Sequence, residues 1–289
     1  VLIPSLSFVA TANAVTYSNA IPHFVDSASN TLGIDPEKLN DYLSTHTEQK
    51  SGFCFNKSTN KRIKAIIPMH TFGHPCRIDE IKEICDKNHI FLIEDAAESV
   101  GSQYKDKHTG TFGQLGVMSF NGNKIITAGG GGCIVTNDKT LAKKAKHLST
   151  TAKVLHKWDF NHDMVGYNYR MPNLNAALLV AQLENLSNFI ERNRTLASNY
   201  EDFFKNQEYT FFKEPSHSKS NYWLNTLLLK NKKERNQFLE ETNSCGVMTR
   251  PIWIMMHKLP MYKHAQCGDL TNSIWLNDRV VNIPSSVVL

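Results

Sequence analysis

An α/β fold on a mainly parallel central sheet is the class that this 289-residue sequence predicts. Three observations lead there. Short β-branched or apolar runs alternate with helix-like stretches through the first half of the chain, and strands joined through helices pair in parallel. Asp95, Ser119 and Lys124 each fall at or just after the end of a predicted strand, where ligands collect in such sheets. From about Phe211 the pattern changes to short strands, a charged helix and proline-marked loops, which reads as a smaller C-terminal α+β domain.

Taken in order, Val1–Pro4, Ala20–Asp26, Ile63–Met69, Phe91–Glu94, Val117–Phe120 and Gly132–Thr136 read as strands. Ile34–Leu39 offers an acidic helix start with proline in the first turn, and Ile78–Asn88 carries apolar residues at helical spacing. Asn173–Asn206 is the longest helical pattern, with Leu174, Ala177, Leu178, Ala181, Leu186, Phe189 and Ile190 on one stripe. Tyr222–Leu229 reads as a strand and Lys232–Thr242 as a helix. The expected organisation is a large domain over 1–172, a linking helix over 173–206 and a small domain over 207–289.

The chain is long enough to bury a substantial core, with 41% hydrophobic and 20% charged residues and a net charge of +5. Its basic residues are dispersed. The run Lys57–Lys64 lacks the aromatic interleaving of single-stranded nucleic acid binders and reads as a solvated excursion, so no nucleic acid partner is expected. Six cysteines without close-spaced repeats fit reduced thiols. No signal peptide pattern and no apolar run near membrane-spanning length occurs, so a cytoplasmic location is expected. Both ends read as cut: the chain starts inside a strand without methionine, which suggests a fragment or the ordered part of a longer polypeptide.

Lys124 lies in SFNGNKIITAGGGG (Ser119–Gly132), 29 positions after Asp95 in FLIEDAAES. That pairing suggests pyridoxal phosphate chemistry. The cofactor needs a lysine amine to hold its aldehyde as a Schiff base and a carboxylate to keep its pyridine nitrogen protonated. Glycines without Cβ let backbone approach a flat ligand closely. Read alone, Lys124 is equally a surface lysine beside a flexible turn. His70, His74, Cys76, Cys85 and His89 lack the paired spacing of a zinc site, so no metal is expected. The polyglycine precedes a strand instead of opening a helix and is no dinucleotide fingerprint.

Five segments then align with one family: IPSLSFVATANAV (Ile3–Val15), AIIPMHTFGHPCRIDEI (Ala65–Ile81), IEDAAESVGS (Ile93–Ser102), SFNGNKIITAGGGGCIVTND (Ser119–Asp138) and VGYNYRMPNLNAALLVAQLE (Val165–Glu184). Together, and in the same order, they resemble the DegT/DnrJ/EryC1/StrS sugar aminotransferases. The insertion Glu48–Arg62, the four glycines and Thr249–His264 look most like the branch that aminates nucleotide-linked 4-keto-6-deoxy-N-acetylhexosamines for legionaminic acid synthesis.

The resemblance implies fold type I of the pyridoxal phosphate enzymes, the aspartate aminotransferase-like architecture, in a homodimer with shared active sites. It makes Lys124 the cofactor lysine and Asp95 the partner of the pyridine nitrogen. Glu98 falls near the cofactor's phenolic oxygen or the lysine, or else is an exposed acid at a helix N-terminus. Phe8 matches the ring that covers the cofactor face, or else is an ordinary core phenylalanine. Ser119 fits a phosphate donor or a strand-end serine bonded to backbone. Asn168 resembles the residue sent across the dimer interface to the neighbouring phosphate. Arg170 and Arg250 are candidates for anionic groups of the substrates, or surface salt bridges. His70 reads as part of the pocket wall, binding substrate, or as a satisfied core histidine.

The implied reaction moves an amino group from L-glutamate to C4 of a nucleotide-linked 4-keto-6-deoxy (N-acetyl)hexosamine, for surface sugars of the legionaminic acid, bacillosamine or perosamine type. One departure bears on it: no Gly-Ser/Thr-Ala segment, where the family binds the cofactor phosphate, precedes the first strand; in an entire polypeptide that would remove a main phosphate anchor, and in an excerpt the objection disappears. Two alternatives follow. A sugar 3-dehydratase shares the scaffold, but such members resemble a histidine at the lysine position; a non-catalytic or truncated sugar-nucleotide-binding member is the other.

Overall fold

The computed structural model describes residues 1–286. Along the chain the elements are β1 (Leu2–Pro4), α1 (Val9–Tyr17), β2 (His23–Val25), α2 (Pro36–His46), β3 (Thr47–Lys50), β4 (Phe53–Asn56), β5 (Lys61–Arg62), β6 (Ala65–Ile66), α3 (Ile78–Lys87) and β7 (Phe91–Asp95). Next come β8 (Gln103–Tyr104), β9 (Lys107–His108), β10 (Leu115–Ser119), β11 (Gly132–Val135), α4 (Lys139–Ser149), β12 (Lys153–Val154), β13 (Asn161–His162), α5 (Asn173–Glu184) and α6 (Leu186–Phe204). The C-terminal part holds β14 (Thr210–Phe211), β15 (Ser218–Lys219), β16 (Asn225–Leu228), α7 (Lys232–Ser244), β17 (Arg250–Pro251), α8 (Thr271–Asn277) and β18 (Val280–Ile283).

The central sheet has the order β11-β10-β7-β6-β1-β2. Every pair in it is parallel except β10 with β11. In β1, Leu2 packs with α2 and α3 while Ile3 packs with α1 on the other face. Burial on both faces explains why these strands are short continuous apolar runs without alternation. A second sheet, β14-β16-β18-β17, is antiparallel throughout. Its core reaches the first sheet's loops through Leu6, Leu32 and Phe72, which cluster with Phe212, Ile252, Met255 and Val280.

Local chemistry explains the helix starts. Asp35 caps α2 by accepting from Lys38 N at 3.1 Å, with Pro36 in the first turn. Two expectations need correction. The 173–206 pattern is not one helix: Asn185 breaks it, with φ −103° and ψ 2°, its side-chain amide donating to Ala181 O. An Asn side chain that satisfies a helix-end carbonyl competes with continuation of the helix. The basic run is only partly a solvated excursion. Its turn is exposed, but it closes an antiparallel ribbon β3-β4-β5 in which Cys54 and Asn56 are buried and Asn56 Oδ1 accepts from Ser58 N and Thr59 N. All six cysteines are free, and no helix of the described residues is long and apolar enough to cross a membrane.

His74 gives the fold an acid limit. It is enclosed between the Phe212 and Tyr222 rings, at 5.2 and 5.1 Å between centroids, and neither ring nitrogen has a hydrogen-bond partner. Burial pushes its pKa down from 6.5 to about 4, against a weaker opposing pull from Glu214. The unfolded chain therefore binds a proton that the folded chain excludes, so stability is full above pH 6.5 and is lost as pH falls towards 4. The loss at the lower end is on the order of 3 kcal/mol. The urea midpoint should drop between pH 7 and pH 5, and drop less in His74→Phe; His23, also pushed down to about 4 chiefly by burial, keeps part of the dependence in that variant.

Candidate active site

The carboxyl ends of β1, β6, β7 and β10 lie along one edge of the sheet because these strands are parallel. A cavity of about 780 Å³ opens there, lined by Phe8, Thr11, Met69, Asp95, Glu98, Ser119, Lys124, Gly131 and Gly132, with Trp223 and Trp253 from the C-terminal part. Lys124 is not a surface lysine: its side chain is only 11% exposed, and Nζ lies 3.7 Å from Glu98 Oε1 and 4.0 Å from the Trp223 ring centroid.

Asp95 ends β7. Its carboxylate accepts from Thr11 Oγ1 at 2.6 Å and from Ala97 N at 3.2 Å, and among the described residues it has no ion-pair partner. Glu98 follows in a turn and is buried, which removes its reading as an exposed helix acid. Phe72 N donates to Glu98 Oε2 at 2.9 Å. Burial pushes the Glu98 pKa up to about 8, with Lys124 opposing and Asp95 adding to the rise. The site therefore brings together the Asp95 carboxyl group, a Glu98 carboxyl held well above the usual carboxylate range, and the Lys124 amine.

Phe8 is half exposed, at the residue before α1, with its ring toward the cavity and 6.4 Å from Trp253; it is not a core phenylalanine. Ser119 ends β10 in the cavity lining. Gly131 and Gly132 line the cavity as well. A Cβ on Gly132 would come 2.4 Å from Met118 O, so that wall must be bare backbone.

The other expected residues are not brought here. His70 is fully buried: Cys76 N donates to Nδ1, so Nε2 carries the proton and faces Glu94 Oε2 at 3.1 Å. That corrects its substrate-binding assignment, because a ring with both nitrogens satisfied and no exposure cannot meet a ligand. Asn168 is exposed in a bridge to Thr150, outside this cavity. Arg170 lines a separate groove beside β11 and α5, and Arg250 lies exposed in β17; neither forms an ion pair among the described residues.

Sequence reasoning missed Thr11, Trp223 and Trp253. Thr11 meets Asp95 across 84 positions and Trp223 meets Lys124 across 99, separations that no local pattern encodes. The one available signal for Thr11 was its place three residues after Phe8 in SFVATANA.

The family model described as the DegT/DnrJ/EryC1/StrS aminotransferase family matches residues 1–289. The chain is 38% identical to the GDP-perosamine synthase of Escherichia coli O157:H7, covering 99% of this chain and 73% of that protein. It is 34% identical to the putative pyridoxal phosphate-dependent aminotransferase EpsN of Bacillus subtilis, covering 97% and 71%. It is also 34% identical to the UDP-4-amino-4,6-dideoxy-N-acetyl-beta-L-altrosamine transaminase of Campylobacter jejuni, covering 79% and 58%. Among solved structures, a DegT DnrJ EryC1 StrS aminotransferase from Brucella abortus superposes with a TM-score of 0.88 at 26% identity, covering 98% of this chain and 73% of that one.

Proposed function

The chain belongs to the DegT/DnrJ/EryC1/StrS aminotransferase family, and from that premise we propose that it transfers an amino group from L-glutamate to C4 of a nucleotide-linked 4-keto-6-deoxy (N-acetyl)hexosamine, with pyridoxal phosphate as cofactor. The observation that carries the reading is Lys124 Nζ on the floor of a cavity that also holds the unpaired carboxylate of Asp95. An anion with no cation partner suits a protonated pyridine nitrogen, the bare backbone at Gly132 suits close approach of a flat ring, and the half-exposed Phe8 supplies a face to cover it.

When bound, pyridoxal phosphate supplies an aldehyde that condenses reversibly with amines and a ring that accepts electrons. Lys124 would hold it, with Asp95 at the ring nitrogen, Phe8 over one face and Ser119 near the phosphate. Lys124 Nζ also moves the proton that each half-reaction must take up and return. Glu98, largely protonated and next to Nζ, gives that amine a neighbouring proton donor that is not a competing full charge. Thr11 Oγ1 and Ala97 N fix the direction of the Asp95 carboxylate.

The finer identity of the acceptor follows the relatives, whose names divide between GDP-linked and UDP-linked sugars. A 3-dehydratase is disfavoured because the residue beside Glu98 is an amine. A homodimer accounts for apolar surface that one chain leaves bare. Leu174, Leu178, Val180 and Leu183 of α5 are all exposed, as are Trp158, Phe160, Tyr167 and Tyr169 in the preceding segment that carries Asn168 and Arg170. In the dimer those two residues would serve the partner's site. Leu178→Asp should give a monomer by sedimentation velocity and cut turnover at least about tenfold; a dimeric, active variant would refute that interface.

The experiment that tests the central reading is an absorbance spectrum of the protein with pyridoxal phosphate before and after L-glutamate. Bleaching of the long-wavelength band of the lysine-bound cofactor is expected. A spectrum that never shifts from free cofactor would refute it.

A further inference from the structure

Trp223 is held over Lys124 by a group that no reading of the transamination chemistry uses. The indole Nε1 donates to Asn123 O at 2.6 Å and its face lies 4.0 Å from Lys124 Nζ. Just before it, Asn221 is fully buried with its side chain saturated: Nδ2 donates to Glu98 O at 3.0 Å and to Val100 O at 2.9 Å, and Oδ1 accepts from Trp223 N at 2.9 Å. Its backbone N donates to Ser102 Oγ, and its carbonyl accepts from Asn193. The fit against Gly73 is close enough that a Cβ there, at a φ of +95°, would fall 1.9 Å from Asn221 Oδ1. Tyr222, between the two, takes a left-handed φ of 47°. Buried amides with every bond made and backbone in a disfavoured region fix a side chain's position, and the side chain fixed here is an indole facing the reactive amine.

Trp253 extends the same wall, 4.9 Å from Phe72 and 6.4 Å from Phe8 between ring centroids. Among the described side chains lining the cavity, Lys124 is the one cation, and the Trp223 and Trp253 faces carry no charge for a carboxylate or a diphosphate. The wall offers flat apolar faces. A pyranose presents a face of C–H bonds that packs on an indole, and C6 of a 6-deoxy sugar is a methyl group where other hexoses carry a hydroxymethyl whose hydroxyl this wall would leave unpaired.

We propose that Trp223, extended by Trp253, is the plate that receives the pyranose ring of the acceptor and favours a 6-deoxy carbon; this rests on the sugar aminotransferase reading above. The test uses the holoenzyme, with GDP- and UDP-linked 4-keto-6-deoxyhexoses as probes and GDP and UDP alone as controls. Trp223→Ala should lower kcat/KM for the keto sugar at least about tenfold more than it lowers the rate of the glutamate half-reaction, while Trp223→Phe should restore most of the difference. Keto-sugar binding should also change tryptophan emission in the wild type more than in Trp223→Phe, and the free nucleotides should not reproduce that change. If both half-reactions fall together in Trp223→Ala, the indole positions Lys124 and the plate is refuted. If neither falls, or if GDP or UDP alone gives the full emission change, it is refuted as well. A wild type that bleaches with glutamate but accepts neither sugar would overturn the sugar reading itself, separately from the role of Trp223.

Discussion

Lys124→Ala should abolish transamination, with a loss of roughly 10⁴-fold or more, because one amine provides both the covalent link to the cofactor and the acid–base group. The variant should nevertheless fold. Removing a buried cation usually strands its carboxylate, but Glu98 is raised to about 8 and is largely neutral near pH 7, so the strand-end cluster tolerates the loss. Its thermal midpoint should stay close to the wild type. Lys124→Arg is the second half of the prediction: it keeps a positive charge near Glu98 and beneath Trp223 without a condensing amine, so it should be as inactive as the alanine variant. Single-turnover absorbance with L-glutamate, together with a melt, checks all three points. Residual turnover within a hundredfold of wild type in either variant would show that another group does the chemistry.

Asp95→Asn should slow the glutamate half-reaction by about 10²–10³-fold while leaving the cofactor bound. Asparagine keeps the side-chain volume; its carbonyl can accept from Ala97 N while its amide donates to the Thr11 hydroxyl, which accepts as well as donates, so geometry is preserved and charge alone is removed. Without a carboxylate the pyridine nitrogen has no anion to hold its proton, and the ring accepts electrons poorly. The two variants separate by spectrum: Asp95→Asn should show the lysine-bound cofactor band and bleach slowly, whereas Lys124→Ala should never show the band. A half-reaction within tenfold of wild type in Asp95→Asn would remove the carboxylate from the mechanism.

Much of the site was legible locally. β7 and β10 are apolar runs ended by Asp95 and Ser119, and strand-end polar residues in a parallel sheet gather on one edge whatever the rest of the chain does. Lys124 was legible for the same reason, five residues beyond β10. Glu98 and His70 show where such reading stops. Both are polar residues that follow strands, yet Glu98 faces the cavity while His70 is sealed between Glu94 and Cys76. Which of them meets a ligand depends on how the turns around Phe72 and Gly73 pack, and sequence spacing does not contain that. The apolar stripe read over 173–206 divides between two helices: Leu174, Ala177, Leu178 and Ala181 of α5 are exposed, while Leu186 and Phe189 of α6 pack on the core, joined from α5 by Leu179, which lies outside that stripe.

The sequence by itself therefore determined the fold class and the edge of the sheet at which Asp95, Ser119 and Lys124 come together. Apolar periodicity and strand-end residues are local properties, decided within a few positions. Tertiary structure alone decided the Thr11 bond to Asp95, the Trp223 ring beside Lys124 Nζ and the burial of His70 against Glu94. Those contacts join segments far apart in the chain, and sheet register and loop packing set them through side-chain shape, which leaves no periodic trace in the order of residues.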